Sequence, residues 1–151
     1  MNNNMLITID PGWSGAVAFF EKGNLQFTTN CPTSREATDM MKVIRNGIGR
    51  KKPTVYIERV WARPYERGAF TFGENYGIWL GIIATLKLKR IDVLPKVWQK
   101  DIKEKGEIPK DYSERKRYFK KVAQDWAGNN HKVTLKNADA ICIGMYALKE
   151  E

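Results

Sequence analysis

Apolar positions come first in short β-branched runs and then at helical spacing. Met5 to Asp10 is such a run, ends in an acid, and predicts a buried strand. Gly12 and Gly15 bracket a tight turn. Ser14 to Glu21 predicts a second strand, and Glu21-Lys22-Gly23-Asn24 a hairpin turn into a third at Leu25 to Thr29. Thr33 or Ser34 could cap a helix running to about Asn46, whose stripe is Ala37, Met40, Met41, Ile44 and Ile48.

Pro53 leads into a fourth strand, Thr54 to Glu58, again closed by an acid. A loop rich in Arg and aromatics follows, Arg59 to about Gly68. A helix from about Ala69 to Leu88 carries Gly73, Gly77 and Gly81 on one face, where another backbone could approach closely: this domain's own sheet or a second subunit. Ile91 to Leu94 predicts a fifth strand, and Pro95 opens a helix. Residues 103 to 112 form a charged loop. Asp111-Tyr112-Ser113-Glu114 reads as a capping box for a basic helix to Ala127, stopped by Gly128. Its buried side would be Tyr118, Phe119, Val122 and Trp126. A polar loop, Asn129 to Lys136, precedes a last helix from about Asn137 to Lys149. Antiparallel strands followed by β-α-β units predict a mixed five-stranded central sheet with helices on both faces, in one domain over residues 1–151.

The charge sharpens this picture. The chain carries 26 Lys and Arg against 17 Asp and Glu, a net +9. Fifteen of those cations and only seven of the acids fall between Lys87 and Lys136, which predicts one basic face and a polyanionic partner such as nucleic acid or a membrane surface. No apolar run reaches the roughly 20 residues of a membrane span. Cys31 and Cys142 sit in unrelated contexts and read as reduced thiols; with no signal-peptide pattern at the N-terminus, the expectation is a cytoplasmic protein.

Against that basic background, three acids stand at the ends of apolar elements: Asp10, Glu58 and Asp139, the last in the first turn of the final helix. Alone, each has an ordinary explanation: a turn residue, an ion pair with Arg59 or Arg63, a helix-dipole partner. Together, carboxylates within reach of one another repel, and oxygen-coordinated Mg²⁺ or Mn²⁺ is the usual remedy. Two such ions about 3.5–4 Å apart can activate water and stabilise the leaving oxygen of a phosphodiester.

The segments Ile9-Asp10-Pro11-Gly12-x-Ser14-Gly15, Tyr56-Ile57-Glu58, Phe70-Thr71-Phe72-Gly73-x-x-Tyr76-Gly77, Leu94-Pro95-x-x-Trp98-Gln99-Lys100 and Ala138-Asp139-Ala140 resemble the RuvC-type Holliday-junction resolvases, above all the phage-encoded members. The resemblance runs over nearly the whole chain in the right order. It implies an RNase H-like fold, a homodimer, and two symmetric Mg²⁺- or Mn²⁺-dependent active sites that nick opposed strands of a four-way DNA junction. It also implies that Asp10, Glu58 and Asp139 are metal ligands and catalytic. The family usually has a fourth ligand about three residues before the last Asp. Here that position is Lys136, with Asn137 beside it. Lys136 is grouped with the catalytic residues as a substitute for one metal's charge or a holder of the scissile phosphate, and a solvent-facing role stays open. The departure leaves a second ion unsettled. His131 is either a replacement ligand or a surface-loop histidine.

DNA contacts are expected from Trp61, Arg63 and Phe70 after the Glu58 strand, and from Lys96, Lys100, Arg115, Lys116, Lys120 and Lys132. In the family, aromatics in the former segment can stack on bases at the junction centre, and the cations would contact phosphates. Rival readings are a broader debranching nuclease and a non-catalytic junction-binding protein on the same fold. An actin-like or sugar-kinase-like nucleotide binder fits poorly, because the chain is too short for two lobes.

Overall fold

The structure, a computed structural model, describes residues 4–34, 36–61, 66–104 and 106–151. Its elements are β1 (Met5–Ile9), β2 (Ala16–Glu21), β3 (Asn24–Asn30), α1 (Ala37–Ile48), β4 (Thr54–Glu58), α2 (Ala69–Thr85), β5 (Lys89–Val93), α3 (Pro95–Ile102), α4 (Tyr112–Ala127) and α5 (Ala138–Glu150). The strands form one sheet in the order β3-β2-β1-β4-β5. β1–β2 and β2–β3 pair antiparallel, β1–β4 and β4–β5 parallel. This is the mixed five-stranded sheet that the hydrophobic pattern predicts.

β1 is buried along its whole length, because helices cover both faces of the sheet. Met5, Ile7 and Ile9 point, with Phe19, Val55 and Ile57, into a core closed by α1 and α2. Leu6 points the other way, with Phe20 and Tyr56, into a core closed by α3, α4 and α5. The period of two along each strand thus divides the protein into two apolar layers.

Several boundaries differ from the sequence pattern. α1 begins at Ala37, with Glu36 in the N-cap position and no side-chain cap bond. The Ser34 hydroxyl instead accepts from the Glu36 amide in a local turn. α2 stops at Thr85, and Lys87 takes a left-handed conformation (φ 53°) that turns the chain into β5. β5 starts two residues earlier than its apolar run, at Lys89. It is an edge strand, and its Lys89, Arg90 and Asp92 are exposed, charge that an inner strand could not hold. Half of the predicted capping box forms: Asp111 Oδ2 accepts from the Glu114 amide at 3.0 Å, with no return bond to the Glu114 side chain among the described residues. On the buried side of α4, Phe119, Val122 and Ala123 lie inside, while Trp126 is 39% exposed and tilts against Phe20.

The glycines of α2 do not pack on the sheet. A Cβ built at Gly73, Gly77 or Gly81 would meet nothing within 4 Å among the described residues, so this face of the helix is open. Gly144 of α5 is the opposite case, since a Cβ there would run into the Phe20 ring. No described helix is long and apolar enough to cross a membrane.

Gly144→Ala is expected to cost about 1–3 kcal/mol, the usual range for overpacking a filled core. Gly81→Ala, in open space within a helix of the single chain, is expected to gain up to about 1 kcal/mol at protein concentrations low enough to keep chains apart. Urea unfolding of both variants checks this, and equal effects at the two sites would contradict the packing described.

Candidate active site

The site begins with strand register. Ile9 pairs with Ile57 across the parallel β1–β4 ladder, so the next residues, Asp10 and Glu58, lie side by side as the two strands end. Ile9 and Ile57 both face the α1–α2 core, so alternation turns both acids to the other face, beneath α3, α4 and α5. Gly15 makes the bend after β1 possible: a Cβ there would collide with the Asp10 carbonyl. The bend is closed by hydrogen bonds from the Asp10 amide to the Ala16 carbonyl (3.0 Å) and from the Gly15 amide to the Gly12 carbonyl (2.9 Å). The Asn75 side chain of α2 donates to the Pro11 carbonyl and ties the bend to that helix.

Three helices bring the polar groups of the pocket, and Phe72 of α2 lines it as well. α5 brings Asp139 in its first turn, where the helix dipole favours an anion. The helix is held against β1 by Thr8, whose buried hydroxyl donates to the Ala140 carbonyl at 2.5 Å. The loop before α5 is fixed by buried Asn137. Its Oδ1 accepts from the Thr134 amide (2.8 Å), and its Nδ2 donates to Thr28 Oγ1 and the Lys132 carbonyl. α3 brings Trp98, whose indole N–H donates to Glu58 Oε2 at 2.6 Å. α4 brings Lys116, whose Nζ lies 2.6 Å from Asp139 Oδ2. The resulting cavity, about 410 Å³, is lined by Asp10, Glu58, Asp139 and Lys116, with Tyr112 and Arg115 at its wall.

The electrostatics are those of excess negative charge. Burial, and then the neighbouring Asp139, push Asp10 up to about 6, against an opposing pull from Lys116. Burial, and then Asp10, push Glu58 up to about 8, although the Trp98 hydrogen bond favours its ionised form. Burial draws Lys116 down, but the charge and hydrogen bond of Asp139 outweigh it, and the ammonium is favoured overall. Asp139 Oδ1 is buried without a hydrogen-bond partner among the described residues. Among the described residues no three His, Cys, Asp or Glu side chains stand ready-made to hold a metal ion as they are placed. The donor set nevertheless suits a hard divalent cation: carboxylate oxygens, two acids resisting ionisation, and one orphaned acceptor.

The structure thus brings together Asp10, Glu58 and Asp139, the three acids singled out in the sequence. It assigns other neighbours differently. The partner of Glu58 is Trp98; Arg59 lies 4.5 Å over the Trp61 ring, and Arg63 falls outside the described residues. Lys116, expected on an outer DNA-contacting face, is an inward residue of the pocket. Lys136 is exposed and does not line the pocket, and His131 does not line it either. Lys96, Lys100, Lys120 and Lys132 are exposed, as are Trp61 (70%) and Phe70 (82%). Trp61 borders a second cavity of about 540 Å³ that shares Trp13, Val60 and Phe72 with the first.

No protein-family model and no curated protein matches the chain. Among solved structures it is similar to T. thermophilus RuvC in complex with Holliday junction substrate, with a TM-score of 0.66 and 13% identity over 97% of this chain and 94% of that one. It is also similar to the Thermus thermophilus RuvC structure, with a TM-score of 0.59 and 17% identity over 97% and 95% of the two chains. The fold is RNase H-like. At this identity the likeness to RuvC concerns the arrangement of the backbone.

Both raised carboxyls give the same pH dependence. Their protonated forms are favoured in the folded state, so the stability they contribute is full below about pH 4. It is lost as pH rises through about 6 for Asp10 and about 8 for Glu58. In the presence of a chelator, Asp10→Asn and Glu58→Gln are each expected to raise the melting temperature near about pH 8.5 more than near about pH 5. The scale is about 2–4 °C for each kcal/mol relieved in a chain of this size. Thermal melts at the two pH values check it; variants that shift equally at both would contradict the assignment.

Proposed function

We propose that this chain is a divalent-metal-dependent, structure-selective DNA endonuclease that resolves four-way junctions by paired symmetric nicks and works as a homodimer. The observation that carries the reading is the convergence of Asp10, Glu58 and Asp139 in one cavity at the end of two parallel strands. The backbone likeness to RuvC, one of whose structures holds a Holliday junction substrate, supports it, as does the net charge of +9.

In this reading Asp10, Glu58 and Asp139 hold Mg²⁺ or Mn²⁺, which supplies water activation and charge stabilisation at the leaving oxygen. The chain's own groups do the rest. Trp98 fixes the orientation of Glu58 through one oxygen, Oε2. Thr8 and Asn137 set the position of Asp139 relative to β1. Arg115, on the cavity wall, supplies a planar cation for a phosphate oxygen. Exposed Trp61 and Phe70 offer faces on which an unpaired base can stack, and Lys96, Lys100, Lys120 and Lys132 add sequence-independent phosphate attraction.

The test is cleavage of a labelled synthetic four-way junction in Mg²⁺ and in Mn²⁺, beside forks and linear duplex. Paired symmetric nicks in the junction are expected. Asp10→Asn should slow them on the order of 10²–10³-fold, the scale of losing one preorganised charge-stabilising group. Equal cutting of forks would make the protein a broader debranching nuclease, and an undiminished Asp10→Asn rate would remove the catalytic assignment.

The dimer is proposed from α2. Its open Gly73, Gly77 and Gly81 face adjoins an apolar groove of about 550 Å³ whose walls include Met41 of α1 and Ile78 and Ile82 of α2. Gly77→Leu is expected to convert a dimer to a monomer in sedimentation while leaving the far-ultraviolet circular dichroism unchanged. A wild-type protein that sediments as a monomer at all concentrations would overturn this arrangement.

A further inference from the structure

Lys116 puts a fixed cation against one of the three acids of the pocket, where a two-ion site would place a metal. Its ammonium lies 2.6 Å from Asp139 Oδ2, on a side chain only 24% exposed, and its charge also reaches Asp10 and Glu58. Asp139 divides its two oxygens: Oδ2 is engaged by Lys116, while Oδ1 is buried and without a hydrogen-bond partner. Three carboxylates line the cavity. Two divalent ions would leave those three negative charges outnumbered, whereas one divalent ion together with the ammonium that contacts Asp139 balances them; Arg115, also at the wall, is turned to the Lys110 carbonyl and stays outside this count. The sequence has no acid at Lys136 to add a fourth charge, and Asn137 beside it spends its amide on Thr134, Thr28 and Lys132.

We propose that the Lys116 ammonium stands in for one of two metal ions, so that the pocket takes a single divalent cation, bound through Asp10, Glu58 and the free Oδ1 of Asp139. This inference rests on the reading of the pocket as a metal site. Lys116 is then a charge-balancing residue built into α4, and the fixed cation occupies the side of Asp139 that a second ion would need.

The ion count can be measured without DNA and without turnover. Mn²⁺ is titrated into the wild-type protein, Lys116→Gln and Lys116→Arg, with calorimetry and the electron paramagnetic resonance of free Mn²⁺ as readouts. One Mn²⁺ per chain is expected for the wild type and for Lys116→Arg. Lys116→Gln is expected to bind its first ion at least about tenfold more tightly, the scale of removing a like charge at close range, and to gain a second. Two ions in the wild type would overturn the proposal while leaving the metal site intact, and that count needs no variant to be folded. A single ion of unchanged affinity in a Lys116→Gln protein that melts cooperatively would also overturn it. No Mn²⁺ bound by any of the three would remove the metal reading itself, and the inference with it.

Discussion

Ile9 faces Ile57 across the parallel β1–β4 ladder, and the geometry of the pocket follows from that register. A one-residue slip would turn Asp10 or Glu58 into the α1–α2 core, where neither has a partner. The slip is opposed on both faces at once. Met5, Ile7, Ile9, Val55 and Ile57 belong to one apolar layer, and Leu6 and Tyr56 to the other. The hydrophobic effect that fixes the sheet therefore also fixes the two acids side by side. The apolar layers supply the stability, and the acids draw on it.

Burying like charges together is costly, and the surroundings offset it in part. Trp98 donates to Glu58, Lys116 to Asp139, and the Gly12 amide weakly to Asp10 at 3.4 Å. What remains is visible in the raised carboxyls and in the unpartnered Asp139 Oδ1. Residual unfavourable charge in a cavity that opens to solvent is a common mark of a site built for something else to bind. The supports around it are rigid: a buried Thr8–Ala140 hydrogen bond, an Asn137 hub and an aromatic contact between Trp98 and Phe119 with ring centres 4.9 Å apart.

α2 links this pocket to the surface. Its Trp79, Ile82 and Ile83 anchor it in one core, Asn75 holds the bend after β1, and its glycine face is open. A partner covering that face would bear on the same helix that steadies the turn beside Asp10. Spacing alone could not say whether the glycines meet the sheet or a partner. The periodicity of an apolar helix with buried and open sides looks the same in either case, and only the packed coordinates show which side is filled.

The order and type of the elements were legible in the chain, because strand alternation and helical stripes are local properties: β1, β4, α4 and α5 lie within a residue or two of their patterns. The three acids were legible too, since a charge at the end of an apolar run has few places to go. Ends set by tertiary context were not, as at Lys87, where α2 turns into an edge strand. Nor were the neighbours of the acids. Lys116 lies three residues before Phe119 and seven before Ala123, on the inward stripe of α4, yet within the run Arg115-Lys116-Arg117 it reads as one more outward phosphate contact. By itself the sequence determined the order and type of the elements and which apolar stripes face a core, because both are local repeats. The tertiary structure decided which charges meet, because that depends on how α3, α4 and α5 cross the sheet edge, and contacts between residues 23, 40 or 132 positions apart leave no local pattern.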